Sequence, residues 1–339
     1  MLNLSELSPE PIHDQISRQL LEKIITDDLP EGNELLPIRT LARKEHVSIN
    51  TIKKAYQELE QDGIIQRQSN ERFVIVSITE EQKRRIAQKL FKHNERGNDI
   101  DAELELAGQI QKSLLPQNLP CDDQVCMAAC SQPSRTVGGD FYDYIPIDPY
   151  RFGIVIGDAC GKGLPAAILI SQVQAIIRSE VNNGKRVEEI LRYANEQLIR
   201  FTLKNKFVTL CYGELDRNLR QFTYVRAGHY YPFLIHSDGS CECLEIGGPA
   251  LGIFPHTTLQ TGTVNLEAGD VICLYSDGVT ETFNHLNDEY GEERLLQILI
   301  RNREKVADKI IDAVLEDLNN FNKSENLQDD RTLLIFKIS

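Results

Sequence analysis

Four aspartate positions in the C-terminal two thirds of the chain each end an apolar run or open a loop. They are Asp140 in VGGDFYD, Asp158 in VIGDACGKG, Asp277 in LYSDGVTE, and the pair Asp329-Asp330 in QDDRT. One such aspartate is an ordinary turn residue, but four, three of them beside a glycine, indicate convergence. Carboxylates without His or Cys partners favour Mg²⁺ or Mn²⁺ over zinc. Two such ions about 3.5–4 Å apart lower the pKa of a shared water and hold a phosphoryl group for in-line attack.

The elements around these aspartates are predicted from hydrophobic periodicity. Short apolar or alternating runs such as RFGIVIGDA, FVTLCYGELD and TLLIFKI recur from residue 125 onward and predict strands. Helical patterns at about 164–182, 187–203 and 291–320 interrupt them. Strands, a helix pair, further strands and a last helix predict an α+β layered domain. The glycine-rich GDACGKG is not a P-loop, because its spacing is one residue short and Gly163 stands where Ser or Thr must hold Mg²⁺.

The segment 107–339 resembles the SpoIIE/RsbU-type serine phosphatases of the metal-dependent PPM class. AGQIQKSLLP, VGGDFYD, GDACGKGLPAA, RAGHYYP, GGPALGI, LYSDGVTE and DDRT follow one another in the family's order. The resemblance implies an α-β-β-α sandwich with two Mn²⁺ or Mg²⁺ ions. Asp158 would bridge both ions, the Ala159 carbonyl and Asp140 would serve one, and Asp277 with Asp329 the other. Asp330 follows the ligand position and ranks below Asp329.

Two further side chains are candidates for the chemistry. Arg135, five residues before Asp140, is suited to holding a substrate phosphate through a bidentate contact, with a surface salt bridge as the alternative. His229 is suited to protonating a leaving group. For His229 a structural role is the preferred interpretation.

Residues 1–78 predict a winged helix: a helix from residue 12, a second at 37–45, a third capped by Ser48 and stopped by Gly63, and a two-stranded ribbon. The stretch from Pro11 to Val76 resembles the DNA-binding domain of GntR-type regulators. The residues predicted to contact DNA are Arg39, Arg43, Lys44, Asn50, Thr51, Lys53 and Lys54. Ile49 replaces the family's usual Arg, and the wing tip Ser69-Asn70-Glu71 carries an acid where glycines are usual. Dimerisation or partner binding is therefore the alternative use of this domain.

Residues 79–115 are predicted to form two helices joined at Gly97-Asn98-Asp99. Their narrow apolar stripe and balanced charges are typical of a coiled-coil seam, so this linker is expected to make a homodimer. The domain boundaries are accordingly 1–78, 79–115 and 116–339.

Composition limits the remaining possibilities. The 339 residues carry a formal net charge of −14, which argues against a general polyanion binder. No apolar run approaches a membrane span, and the N-terminus does not resemble a leader, so we expect a cytoplasmic protein without membrane contact. The eight cysteines have no zinc-site spacing and are expected to be free thiols.

Together these observations predict a metal-dependent protein serine/threonine phosphatase controlled by the winged helix through the linker. The family resemblance implies a phosphorylated STAS-domain anti-sigma-factor antagonist as substrate. The alternative is a GntR-like transcriptional regulator whose phosphatase-like domain is a sensor.

Overall fold

The computed structural model describes residues 4, 11–26, 29–68, 72–203, 205–323 and 327–339. The chain divides into two compact units, residues 1–102 and 103–339. The predicted winged helix lies in the first unit and all the candidate aspartates lie in the second. Within the described residues, none of the helices is both long and apolar enough to cross a membrane.

The first unit contains the predicted winged helix. Its elements are α1 (Ile12–Ile25), α2 (Ile38–Lys44), α3 (Ile49–Gln61), β1 (Ile65–Arg67) and β2 (Phe73–Ile75). β1 and β2 pair antiparallel. The Ser48 side chain accepts a hydrogen bond of 3.1 Å from the Thr51 amide, as predicted for the cap of α3. Ile16, Ile52 and Tyr56 are buried among the residues that hold the three helices and the ribbon together.

A single helix, α4 (Glu80–Leu114), follows the ribbon. The prediction of two helices with a joint at Gly97-Asn98-Asp99 is therefore wrong. A glycine inside a helix costs only about 1 kcal/mol relative to alanine. The many Glu, Lys, Arg and Gln residues around Gly97 favour the helix and offset that cost.

Two antiparallel sheets form the centre of the second unit. The first sheet contains β4 (Asp140–Pro146), β5 (Arg151–Ala159), β6 (Val208–Asp216), β7 (Gln221–Ala227), β10 (Gly247–Gly248) and β11 (Gly262–Asn265). The second contains β3 (Val125–Gln132), β8 (Phe233–Ile235), β9 (Cys241–Cys243), β12 (Val271–Tyr275) and β13 (Arg331–Ile338). The short strand β10 pairs parallel to β7, and the other neighbouring strands pair antiparallel.

Helices cover the outer faces of both sheets. They are α5 (Leu164–Asn182) and α6 (Val187–Phe201) on the first sheet, and α8 (Gly291–Asn302) and α9 (Ala307–Asn322) on the second, with the short α7 (Asp277–Thr280) after β12. One core lies between the sheets and one lies under each helix pair. This is the predicted α-β-β-α sandwich. The 291–320 pattern is two helices rather than one, because Val306 adopts an extended backbone between them.

The cysteines differ from the prediction at one place. Cys121 and Cys126 face each other across an isolated antiparallel bridge and form a disulfide. The other six cysteines are free. The expectation of eight free thiols is therefore wrong for this pair, because the chain reverses between the two residues and brings their side chains together.

Candidate active site

Strand register brings two of the four aspartate positions together. Asp140 begins β4 and lies directly opposite Asp158 near the end of β5, and Asp158 in turn lies opposite Thr209 of β6. Directly opposed residues on neighbouring strands have their side chains on the same face. The alternation of the two strands therefore places both carboxylates on one side of the first sheet.

The second sheet supplies the other acidic residues. Asp277 is the first residue of α7, two residues after the end of β12, and Asp329 precedes β13 by two residues. β12 and β13 are antiparallel neighbours, so the end of one strand and the start of the other lie at the same edge of the sheet. The Ser276 side chain ties these two ends together, since it donates to the Asp330 carbonyl at 3.3 Å and accepts from the Thr332 amide at 2.9 Å.

Asp158, Asp277 and Asp329 line one pocket of about 340 Å³, which we call the acidic pocket. Lys162, Phe207 and His229 also line it. Burial, followed by repulsion from Asp277 and Asp329, raises the pKa of Asp158 to about 8. Burial and the charge of Asp329 raise the pKa of Asp277 to about 6. The negative charges of the carboxylates in the pocket therefore exceed the positive charge that the surrounding side chains supply.

Asp140 lies beside the acidic pocket without lining it. Its side chain is buried, and neither carboxylate oxygen accepts a hydrogen bond of normal geometry from the described residues, although the side chains of Ser276 and Thr332 lie close enough to oppose the rise in its pKa. Burial and the neighbouring Asp158 raise its pKa well above the usual range. Buried polar atoms without partners are rare in native proteins and call for a ligand or ion. The carboxylate oxygens of Asp140, Asp158, Asp277 and Asp329 are donors suited to hard divalent cations, so these residues fit the metals that the family resemblance implies.

Two glycines next to these aspartates allow the close packing of the site. A Cβ atom on Gly139 would lie 3.0 Å from the Ala159 carbonyl oxygen and 3.2 Å from Asp158 Oδ1. A Cβ atom on Gly278 would collide with the carbonyl oxygen of Asp330. The glycines that accompany the aspartates in the sequence are therefore explained by close approach of backbone and carboxylates.

Two family models match the chain. The model of the family "Stage II sporulation protein E (SpoIIE)" matches residues 148–339, and that of "Bacterial regulatory proteins, gntR family" matches residues 12–75. The first match covers more than half of the chain. The chain belongs to the SpoIIE family. Its C-terminal unit is thus a phosphatase domain of the PPM class, and its N-terminal unit carries a GntR-type helix-turn-helix, as the sequence predicted.

Individual relatives agree with this assignment. "Phosphoserine phosphatase RsbU" of Bacillus subtilis is 30% identical over 243 residues, which cover 70% of this chain and 71% of that protein. "Protein IcfG" of Synechocystis is 30% identical over 246 residues, 64% of this chain but 38% of the relative, so this chain spans well under half of IcfG. The solved SiaA-PP2C domain of Pseudomonas aeruginosa has the same fold, with a TM-score of 0.64 at 21% identity over 72% of this chain and 98% of that one.

The adjacent residues Asp329 and Asp330 of this SpoIIE-family protein have different surroundings. Asp330 Oδ1 accepts from the Ser134 amide at 2.6 Å and from the Ser134 hydroxyl at 2.8 Å. Asp330 Oδ2 accepts from the Gly139 amide at 2.6 Å. These bonds occupy both oxygens and hold the 134–139 loop, whereas Asp329 faces the acidic pocket. This arrangement is consistent with ranking Asp329 above Asp330 as a metal ligand, and that ranking stays a prediction.

Arg135 and His229 lie close to the site in different ways. Arg135 does not line the acidic pocket; its guanidinium lies beside Gly163, since a Cβ atom there would be 3.6 Å from Nη1. Its role in holding phosphate stays a prediction. His229 is buried, with Nδ1 3.0 Å from Thr209 Oγ1, and burial lowers its pKa to about 4. The imidazole is neutral and also lines the acidic pocket, so the structural role preferred for His229 stays a prediction.

The sequence reasoning missed Lys162. Its ammonium lies 2.6 Å from Asp329 Oδ2 and donates to the Gln328 carbonyl at 2.8 Å. It is therefore a cation placed directly in the acidic pocket. The available signal was GDACGKG itself, whose lysine sits in the loop that leads from Asp158 into α5.

Gln111 on α4 was also missed. Its side-chain oxygen accepts from the Gly138 amide at 2.9 Å, and its nitrogen donates to the Gly138 carbonyl at 2.7 Å. Gly108, one helical turn earlier, packs against the Thr136 carbonyl. The helix thus holds the loop that leads into Asp140, and the AGQIQKSLLP motif contained this residue.

We expect Gln111→Leu to raise the Mn²⁺ concentration needed for half-maximal turnover about tenfold. The substitution keeps the size of the side chain but removes both bonds to Gly138, so the loop before Asp140 loses a constraint; the effect of such supporting contacts on metal sites is about 10–100-fold. The measurement is turnover of an aryl phosphate against Mn²⁺ concentration. Gln109→Leu, an exposed position on the same helix, is the control. Equal Mn²⁺ dependence in both variants would contradict the role of Gln111.

The winged helix presents most of its predicted DNA-contacting residues to solvent. Arg39, Arg43, Lys44, Asn50, Lys53 and Lys54 are exposed. Thr51 is half-buried, and its hydroxyl lies 2.8 Å from that of Ser48, which makes it part of the helix cap. The wing tip Ser69-Asn70-Glu71 lies outside the described residues. DNA contact by this surface stays a prediction.

Proposed function

We propose that this protein is a metal-dependent phosphoserine or phosphothreonine protein phosphatase whose hydrolytic centre is the acidic pocket. The observation that carries the proposal is that Asp158 from one sheet and Asp277 and Asp329 from the other line the same pocket, beside the buried carboxylate of Asp140. Such a cluster of carboxylates is unfavourable without bound cations.

The four aspartates have distinct proposed places around two Mn²⁺ or Mg²⁺ ions. Asp158 would contact both ions, Asp140 and the Ala159 carbonyl one, and Asp277 with Asp329 the other. Ions bound there would supply an acidified water and would neutralise charge on a phosphoryl group. Lys162 holds Asp329 in place through its ion pair and adds positive charge where a phosphate enters.

The name of a relative and the exposure of the pocket support a proposed substrate class. RsbU, which shares 30% identity, is named a phosphoserine phosphatase. We infer that this chain acts on a phosphorylated STAS-domain anti-sigma-factor antagonist, so that its output is partner switching. The acidic pocket is open to solvent at Lys162 and Asp329, each of whose side chains is 38% exposed, which suits a phosphoserine presented on a protein surface.

Substituting Asp277 tests the proposal directly. Asp277→Asn removes the charge of one proposed metal ligand. We expect aryl phosphate turnover with Mn²⁺ to fall at least a hundredfold, because bound metal ions contribute several kcal/mol of charge stabilisation to the transition state. The exposed Asp123 offers a matched control, since Asp123→Asn makes the same chemical change on the surface. Full activity in Asp277→Asn would show that the reaction occurs elsewhere.

Helix α4 is proposed to dimerise the protein and to carry the regulatory signal of the winged helix. Leu106 and Ile110, one helical turn apart, are both exposed large apolar residues, and Gln111 on the same helix contacts the loop before Asp140. A dimer is therefore expected in sedimentation experiments, with a mass near twice 38.5 kDa. A monomer at micromolar concentration would contradict this.

A second candidate function is sequence-specific DNA binding with the phosphatase domain as a sensor. The exposed basic residues of α2 and α3 favour it. Operator binding together with the absence of metal-dependent turnover would select it.

A further inference from the structure

The acidic pocket is bordered by a loop and a turn that come from different parts of the chain. Phe207, at the end of the loop after α6, lines the pocket together with Lys162. The neighbouring Lys206 donates to the Cys160 carbonyl at 3.4 Å, and the Cys160 thiol accepts from the Phe207 amide at 3.2 Å. The loop therefore lies directly against the segment that links Asp158 to Lys162.

The turn at 252–254 packs on the same loop. Gly252 has a φ of +92°, and a Cβ atom there would lie 2.9 Å from the Lys206 carbonyl oxygen. The Gly252 amide donates to Asn195 Oδ1 at 2.8 Å, and Asn195 Nδ2 donates to the Phe254 carbonyl at 2.9 Å. Because Asn195 is a buried residue of α6, the turn is held firmly next to the pocket.

These two segments leave four large apolar side chains in solvent. Leu203 is 78% exposed, Phe254 53%, Ile253 45% and Phe207 36%. We call this set the apolar rim. Large apolar side chains exposed on two adjoining segments beside a functional pocket are typical of surfaces that bind another macromolecule.

The charges beside the apolar rim indicate which charged group the bound macromolecule carries. The chain has a net charge of −14, and its pocket is acidic. Lys162 and Lys206 stand at the boundary between the pocket and the rim: Lys162 lines the pocket, and Lys206 Nζ would lie 3.3 Å from a Cβ atom on Gly161. An apolar surface with two cations at its inner edge matches an apolar partner surface that bears a phosphate.

We propose that the apolar rim is the docking surface for a folded phosphoprotein substrate, which places its phosphoserine over Lys162 and the acidic pocket. The inference rests on the proposed phosphatase function and adds to it the surface that selects the partner. The bound protein covers Leu203, Ile253 and Phe254, while Phe207 lies between the docked surface and the reacting phosphate.

The test compares two substrates on the full chain with Mn²⁺: a STAS-domain protein carrying one phosphoserine, and an aryl phosphate. For the double variant Leu203→Ser/Phe254→Ser we expect kcat/KM on the phosphoprotein to fall at least tenfold, mainly through KM, as for the loss of central interface residues. Turnover of the aryl phosphate should stay within twofold. The control is Leu219→Ser, a 67% exposed leucine in the turn at the opposite end of β6, roughly 25–30 Å away by strand length; both activities should be unchanged in it.

Three outcomes would overturn the docking proposal. They are an unchanged kcat/KM on the phosphoprotein, an equal loss on both substrates, and a change in the enzyme's own sedimentation, which would assign the rim to contact between copies. If the wild type hydrolyses neither substrate, the phosphatase function fails instead. Titration of the same phosphoprotein into wild type and double variant then tests docking separately: at least tenfold weaker binding by the variant supports it, and equal or absent binding overturns it.

Discussion

Asp158→Asn is expected to lower metal-dependent phosphate release about a thousandfold while making the metal-free protein more stable at pH 8. The loss of activity follows because Asp158 lies between Asp140 on the neighbouring strand and the acidic residues of the second sheet. Several kcal/mol of charge stabilisation depend on such a position, and each 1.36 kcal/mol is a factor of ten in rate. The amide keeps the shape of the side chain and removes its charge.

The opposite effect on stability follows from the pKa of Asp158. An unfolded aspartate has a pKa of about 3.9, whereas burial and repulsion from Asp277 and Asp329 raise the folded value to about 8. Between these pH values the folded protein binds more protons than the unfolded chain, so the free energy of unfolding of the metal-free protein falls as pH rises from about 4 to 8. Asparagine does not titrate, so the variant should lose less stability over this range.

Urea unfolding of the metal-free wild type and Asp158→Asn at pH 6 and pH 8 measures this difference. Added Mn²⁺ should restore stability to the wild type at pH 8 and have a smaller effect on the variant, because a ligand that binds the folded state stabilises it by mass action. An equal loss of stability in the two proteins between pH 6 and pH 8 would contradict the proposed clustering of charge.

The second large effect is expected at a buried ion pair away from the acidic pocket. Asp143 on β4 is 0% exposed, and Arg178 on α5 donates to it through Nε at 2.6 Å and Nη2 at 2.8 Å. Arg178 and Gln174 also donate to the Leu114 carbonyl, the last residue of α4, each at 3.1 Å. The pair therefore joins the first sheet, α5 and the end of the linker helix.

We expect Arg178→Met to lower the free energy of unfolding by about 3 kcal/mol. The substitution leaves a fully buried carboxylate without its cation, which usually costs about 3–5 kcal/mol; the lower end applies because the Arg178 side chain is itself partly exposed. The matched control is Arg151→Met, which breaks the surface pair with Asp148 (2.8 Å) and should cost about 0–1 kcal/mol. Similar losses in the two variants would show that burial of Asp143 is not decisive.

How much of this protein is predictable depends on how local each signal is. The α+β layering, the helices and ribbon of the winged helix and the cap at Ser48 follow from periodicity and neighbouring residues, whereas the α-β-β-α sandwich is what the family resemblance implies. Asp140 and Asp158 are also foreseen, because strand ends with adjacent glycines mark them. The continuity of α4 through Gly97 was not foreseen, because about 1 kcal/mol of helix propensity is easily outweighed by the flanking residues.

The remaining contacts depend on distant parts of the chain. Lys162 meets Asp329, 167 positions later in the chain, and Gln111 meets Gly138 across the gap between a helix and a loop. The pairing of Cys121 with Cys126 depends on a chain reversal that the spacing alone does not specify. Asp329 and Asp330 are adjacent, so their division into a pocket residue and a loop-holding residue is decided by the positions of Ser134 and Gly139.

Phosphate release from a phosphoserine-bearing STAS-domain protein, measured after chelation and again after adding Mn²⁺ or Mg²⁺, tests the central claim most directly. We predict no release by the chelated protein, recovery on addition of either ion, and no recovery in Asp158→Asn or Asp277→Asn. Release that persists after chelation, or that both variants retain, would contradict a metal-dependent hydrolytic centre at the acidic pocket.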